Sequence, residues 1–412
     1  MNKFSFKYCF IILFFVIYIY SVNLSFFPLS LKQFLAVLGV IVFFFNLKNV
    51  KKTKVYGSLL AICLLIQAWG VVTCLCNNSN EYIYPVEYFI SPISAFFASF
   101  LICKLSTSCI HSIDDFFKIV LYTVFIESII TVLIFIIPPL YDFADSMGLL
   151  LLDETIKENP FARYSRFNGI GEAVYFGVIP SCTLGVMSGL YLQLKNKHTN
   201  LYLIIAIFIS IISFFVTRYS AVVVFVCFLL FMKFLFKSSK KKFMQYGLLA
   251  TTLFTILIVV AVNLLPEKIL EWALGAFESD SQHNSTETVL GWITSTKFDF
   301  KTFIIGDARY TIPGGGYYGG VDIGLYRQIF YGGIIGFCLV TYLHKKILTQ
   351  LRRMVPKDPY IRFFTQGMFL SYLLCLLKGD LSMIDLYVFV LVNIINWVTS
   401  RPRIDCETSI PL

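Results

Sequence analysis

Five of the ten arginines in this 412-residue chain, Arg163, Arg166, Arg218, Arg309 and Arg327, stand apart from the lysine-rich clusters that carry most of its other positive charge. Arginine offers a planar fork of donors that grips phosphate bidentately and stays charged where water is scarce, whereas lysine presents a well-hydrated point charge. A diphosphate-bearing partner is the ligand such a set would take. For Arg163 and Arg166 the alternative is a solvated loop pair answering Asp153, Glu154 and Glu158. Arg218 sits in Val216-Thr217-Arg218-Tyr219-Ser220-Ala221, between two apolar runs with almost no loop. A charge at that depth is costly enough to suggest function, the alternative being a side chain that snorkels to the interface.

The elements that must position these arginines are set by composition. With 58% hydrophobic residues, 14% charged and a mean hydropathy of +0.77, the chain is far from soluble proteins, in which about a quarter of residues are charged. Lipid is the expected main solvent, which suits the 43 Phe and 24 Tyr. The net charge of +10 lies in short clusters between apolar runs, so no nucleic acid is implied. The eleven cysteines fall mostly inside those runs without metal-like spacing, and the closest pair, Cys74 and Cys76, reads as small apolar filler. The first run follows Lys3 and Lys7 as a signal peptide would, but it has no small-residue cleavage site and a second run follows at once, so it reads as a retained span.

At about 17 to 25 residues per span, the apolar runs predict an all-α polytopic membrane protein. Twelve transmembrane helices are expected, near 8–22, 32–47, 55–75, 87–103, 117–139, 172–194, 201–217, 219–236, 243–265, 323–343, 361–377 and 384–400. With both termini cytoplasmic, the clusters at Lys48 to Lys54, Lys195/Lys197, Lys237 to Lys242, Lys345 to Arg353 and Arg401/Arg403 all fall on the inner side. One membrane domain, 1–412, then carries two long outer loops, 140–171 and 266–322. The second begins with an amphipathic stretch (Pro266, Ile269, Leu270, Trp272, Leu274), continues through a polar stretch from Ser279 to Thr288, and ends in Gly314-Gly315-Gly316-Tyr317-Tyr318-Gly319-Gly320. A loop of that length is usually functional or disordered, and its aromatic residues predict a folded lid on the membrane. No phosphate-binding glycine loop, zinc signature or nucleotide-sugar domain is present, so any energy must arrive with the substrate.

Three stretches resemble the O-antigen and capsular polysaccharide polymerases (Wzy type), relatives of the O-antigen ligases. Arg163-Tyr164-Ser165-Arg166-Phe167-Asn168-Gly169, followed by Gly177, is similar to that family's arginine-then-glycine pattern, and the spacing recurs from Arg309 to Gly320. Thr217-Arg218 is similar to its Ser/Thr-Arg turn between two central spans. Asp322 to Arg327, then Gly332-Gly333 and Gly336, preceded by Phe303-Ile304-Ile305-Gly306, resembles its glycine turn leading into a glycine-bearing span. Relatives carry an arginine ahead of the loop tryptophan; here His283 to Glu287 before Trp292 has none.

The resemblance implies transfer of a glycosyl group between undecaprenyl-diphosphate-linked oligosaccharides at the periplasmic face of a bacterial inner membrane, with no cofactor and no metal. It also implies a chain-length regulator and a flippase as membrane partners. Arginines would stabilise the leaving diphosphate, and Asp322 or Glu172 would take the proton from the acceptor hydroxyl. Asp322 could instead be the N-cap of the tenth span. Arg327, five residues on, is not placed as an i, i+4 partner, so it is not expected to neutralise Asp322. Glu127, mid-span, is either an intramembrane functional acid or a hydrogen-bonded packing contact, and His283 is either catalytic or a solvated surface histidine. A ligase acting on lipid A core and a lipid-linked oligosaccharide flippase are the competing readings. Histidine at the Asp322 position would favour the former, and charge-lined spans the latter.

Overall fold

The computed structural model describes residues 6–45, 54–106, 109–150, 167–171, 177–196, 199–236, 248, 252, 291–312 and 316–379. Among these, regular structure is entirely helical. The helices are α1 (Phe6–Ile19), α2 (Leu31–Phe45), α3 (Lys54–Asn77), α4 (Ile83–Leu105), α5 (Ile113–Ile136), α6 (Pro138–Ser146), α7 (Val178–Lys195), α8 (Leu201–Val216), α9 (Ser220–Leu235), α10 (Phe300–Ile304), a 3-10 turn at Tyr318–Gly320, α11 (Gly324–Met354) and α12 (Pro359–Cys375). Ten of the apolar runs read from the sequence coincide with helices. The runs at 243–265 and 384–400, together with Arg163, Arg166, Glu172 and His283, lie outside the described residues. Two features depart from expectation. The segment expected as the first outer loop opens with a helix, α6, and α11 runs on to Met354, well past the expected end near residue 343.

Helix ends follow local chemistry. Ser112 and Asp115 form a reciprocal capping box at the start of α5, and Pro138 closes the way to its continuation. Asp358 caps α12 by accepting the Tyr360 N–H at 2.9 Å, with Pro359 in the first turn. By length and composition α5 can cross a membrane. The outward faces of α2, α3, α8 and α9 are themselves apolar: Phe44, Phe45, Leu64, Leu65, Ile204 and Phe225 are all exposed.

Contacts between helix ends give the bundle two distinguishable poles. At one, Lys195 at the end of α7 bonds Asp114 at the start of α5 (2.7 Å) and Asp358 (3.0 Å), and the Tyr191 hydroxyl joins both carboxylates. Burial alone would raise the Asp358 carboxyl, but bonds from Tyr191 and Lys195 hold it below the usual range. At the other pole the α5, α8 and α1 ends meet the segment 167–171. Phe167 stacks between Phe135 and Phe215 and donates its N–H to Phe215 O, while Gly171 packs on the Tyr20 carbonyl. This second pole carries the candidate site.

Candidate functional site

The site is built on a break in α11. Gly333 has φ +62° and ψ −174°, which interrupts the helix. The carbonyls of Phe330, Tyr331 and Gly332, freed from the i to i+4 ladder, are taken up by the Asp307 N–H (2.6 Å), the Ala308 N–H (3.1 Å) and Trp69 Nε1 (2.7 Å). Gly306 and Gly333 let the two backbones touch, since a Cβ on either would fall on main-chain atoms of the other segment. The motif Phe303 to Gly306 and the pair Gly332-Gly333 are therefore one structural device.

A second set of bonds holds the strip that follows. The turn between α3 and α4 presents Asn77 Nδ2 to Gly306 O (2.9 Å), Ser79 Oγ to Ala308 O (2.6 Å), and a Glu81 carboxylate oxygen to the N–H groups of Tyr310 (2.7 Å) and Thr311 (3.3 Å). From there the glycine run folds back. Thr311 bridges Tyr317, and the Tyr318 N–H reaches Tyr310 O at 3.1 Å. Gly316, Gly319 and Gly320 all have positive φ, which explains the glycines at this reversal.

The fold-back places Tyr310 and Tyr317 around Arg327. The guanidinium carbon lies 4.2 Å from the Tyr310 ring centre and 3.9 Å from that of Tyr317. Arg327 Nη1 donates to Asp322 Oδ1 at 3.1 Å, and its Nε is buried with no hydrogen-bond partner among the described residues. This corrects two expectations. Arg327 does pair with Asp322, because Asp322 precedes the first turn of α11 in extended chain, where helical spacing does not apply. Asp322 is also not the N-cap, a position that falls on Ile323.

Lys378 links this pair to Arg218. Tyr219, beside Arg218, donates its hydroxyl to Leu374 O (2.7 Å), and the Leu325 N–H donates to Leu376 O (2.9 Å), which draws the ends of α8 and α12 onto the start of α11. Burial pushes the Lys378 ammonium below its ordinary pKa, Asp322 pulls it up and Arg218 pushes it down, so the three groups share one field. Burial likewise lowers Arg218. Lys378 also lies 5.8 Å over the Trp292 ring. Arg309 sits at the edge of the strip, 5.9 Å over Tyr318, whose hydroxyl burial and Asp307 push up. Arg327 thus pairs with Asp322, and Lys378 lies within the fields of both Asp322 and Arg218. Trp292, Phe298, Tyr318, Leu325 and Tyr326 pack around Val321, Ile323 and Phe330 to form the apolar floor.

Of the residues singled out in the sequence, Arg327 and Asp322 pair directly, Arg218 is linked to Asp322 through Lys378, and Arg309 lies over Tyr318, next to the Tyr317 that brackets Arg327. Glu127 does not belong to this cluster. It is buried mid-helix, accepting the Thr131 hydroxyl at 2.7 Å. Lys378 was passed over because the reading weighed arginines alone, although the expected topology puts it on the same side. The bracketing Tyr310 and Tyr317 had a signal in the density of tyrosine around the glycines. Among the described residues no three His, Cys, Asp or Glu side chains gather as a metal site. No family model matches the chain, and no curated protein matches it.

The two roles of Asp322 separate under substitution. Asp322→Asn retains a neutral acceptor for Arg327 but cannot take a proton usefully, so a role as proton acceptor predicts loss of function at normal protein abundance, whereas a role in pairing alone predicts retention. Asn with full activity would remove Asp322 as a base.

Proposed function

We propose that this chain is a twelve-span inner-membrane glycosyltransferase that polymerises undecaprenyl-diphosphate-linked oligosaccharide repeats at the periplasmic face, in the manner of the Wzy-type enzymes its motifs resemble. The observation that carries the reading is the tyrosine-bracketed Arg327 paired with Asp322, in whose field Lys378 also lies, with Arg218 near Lys378. Such a cluster has the charge and donor geometry for a diphosphate. The apolar outward faces and the helix long enough to cross a membrane support a lipid setting.

In the proposed reaction the acceptor hydroxyl oxygen attacks the anomeric carbon of the growing chain. The bond from that carbon to the diphosphate oxygen breaks, and its electron pair leaves on the diphosphate, where the cations stabilise it. The hydroxyl proton passes to Asp322. Diphosphate competing for Arg327 would loosen the pair with Asp322, so substrate binding itself frees the base. Arg309, the Arg163/Arg166 pair and Glu172 complete the proposed set on the same outer side.

Deleting the gene and running the cell's polysaccharide on a gel tests the function. Loss of the ladder with a single repeat retained is expected. Loss of all decorated lipid A would instead mean a ligase or flippase. Topology is tested in a cysteine-depleted chain in intact spheroplasts. Cysteines placed at Lys157, His283 or Phe300 should react with an impermeant reagent while one at Arg352 stays protected, and the reverse pattern would overturn the orientation.

A further inference from the structure

One face of α11 stays open along the part of the helix that follows its break. Ile335 (38% exposed), Cys338 and Tyr342 (48% exposed) follow one another at spacings of three and four, which puts them in a single stripe. The same spacing continues through Lys345 and Lys346, Thr349, and then Arg352 and Arg353, with Lys345 and both arginines exposed. The opposite face is packed, since Val340, Leu343, Ile347 and Leu351 are buried. The stripe is therefore apolar at first and cationic at its end, with Tyr342 at the change. Among the described residues none of these four cations makes an ion pair, and the carboxylate that follows along the chain, Asp358, is taken by Lys195 and Tyr191. Against four positive charges the helix's own C-terminal dipole offers about half an elementary charge. Side chains on a helix lean toward its N-terminus, and Lys346 does so, with its ammonium 5.9 Å over the Tyr342 ring. The cations thus lean back toward the apolar part of the stripe.

We propose that this stripe binds one anionic phospholipid, its acyl chains along Ile335, Cys338 and Tyr342 and its phosphate among Lys345, Lys346, Arg352 and Arg353. Two adjacent arginines offer fork donors to a phosphate, a tyrosine suits the level at which acyl chain gives way to headgroup, and cations just beyond an apolar helix attract acidic headgroups. The dimensions agree. Ile335 to Arg352 spans about 25 Å along the axis, and a leaflet with its headgroups is roughly 20 to 22 Å deep, a difference that an arginine leaning back makes up. Setting the orientation of the chain needs positive charge at this end, but not cations in register with an open apolar face. An acidic protein would meet the charge and leave Ile335 and Tyr342 without use. Because α11 also carries Arg327 toward its other end, a headgroup gripped here fixes the helix along its axis. The inference rests on the reading of α11 as a membrane helix and not on the proposed group transfer.

Washing membranes with alkaline carbonate is the first step of the test, and release of the chain would overturn the membrane reading and the site with it. The purified full chain in detergent is then titrated with phosphatidylglycerol and with phosphatidylcholine of the same acyl chains, and the retained lipid is counted by native mass spectrometry. Phosphatidylglycerol should bind about tenfold more tightly, and the double variant Arg352→Gln/Arg353→Gln should lose about tenfold of that affinity. Ile335→Ser should weaken both lipids. Arg362→Gln, which removes a cation exposed at the same end of the bundle but on α12, should leave the binding nearly unchanged. Equal binding of the two lipids, an equal loss in Arg362→Gln, or a polyglutamate peptide that binds as tightly as phosphatidylglycerol would each overturn the site.

Discussion

On the proposed polymerase reading, replacing Arg327 by lysine is expected to cut polymer formation nearly as far as replacing it by alanine, by about 10²–10³-fold, the loss seen when one preorganised charge-stabilising donor is removed from an active site. The guanidinium is a flat plate between Tyr310 and Tyr317, with one nitrogen spent on Asp322 and Nε left open. An ammonium keeps the charge but cannot fill the slot between two rings or present parallel donors. The alanine variant should in addition lose stability, because Asp322 and both rings lose their shared partner. Two measurements decide it: membrane abundance, which should stay near normal for lysine, and the ladder on a polysaccharide gel. Full-length polymer from Arg327→Lys would show that charge alone suffices and that the fork plays no part.

The second large effect is on stability. Gly333→Ala should destabilise the protein by about 3 kcal/mol or more and deplete it from the membrane. A conformation of φ +62°, ψ −174° is almost confined to glycine and costs an L-residue about 1–3 kcal/mol. A Cβ there would also fall on the Ile304 carbonyl, which cannot retreat, since the neighbouring Asp307 and Ala308 amides are bonded to α11. Gly320 is the internal control. Its φ is also positive, but nothing lies within 4 Å of its Cβ position, so Gly320→Ala should cost only about 1 kcal/mol. Equal unfolding midpoints for the two variants would mean that the backbone contact at the break is not what makes Gly333 necessary.

The helices were legible because a mean hydropathy this high leaves the chain few alternatives and because the break at Thr217-Arg218 is punctuated locally, whereas the fifth run was read to residue 139, through the break at Pro138. Glycines near 306 and 333 were visible as a motif, but their mutual contact was not, since nothing in the spacing says which carbonyl a glycine will touch. The pairing of Asp322 with Arg327 was misread for a definite reason. Helical spacing was applied across a boundary that the helix does not cross. Lys378 was hidden by a different error, in which residue type was weighed before place. The Glu81 carboxylate binding the amides of Tyr310 and Thr311 could not have been inferred from a single sequence, because the two partners lie 229 and 230 positions apart.

That separation has a consequence for how the protein is made. Asn77, Ser79 and Glu81 emerge from the ribosome long before the segment from Gly306 to Thr311 that they will hold. At about 5–20 residues per second, the interval is roughly 10 to 45 s. Through it, an amide, a hydroxyl and a carboxylate must keep other partners, and water is the only one in ready supply. The early half of the molecule must therefore wait with this turn wetted and its Trp69 indole N–H unclaimed, and the late half supplies the carbonyls and amides that replace the water. Two fragments divided between those halves should be able to find each other, because the surface that joins them is main chain met by donors and acceptors already standing in place.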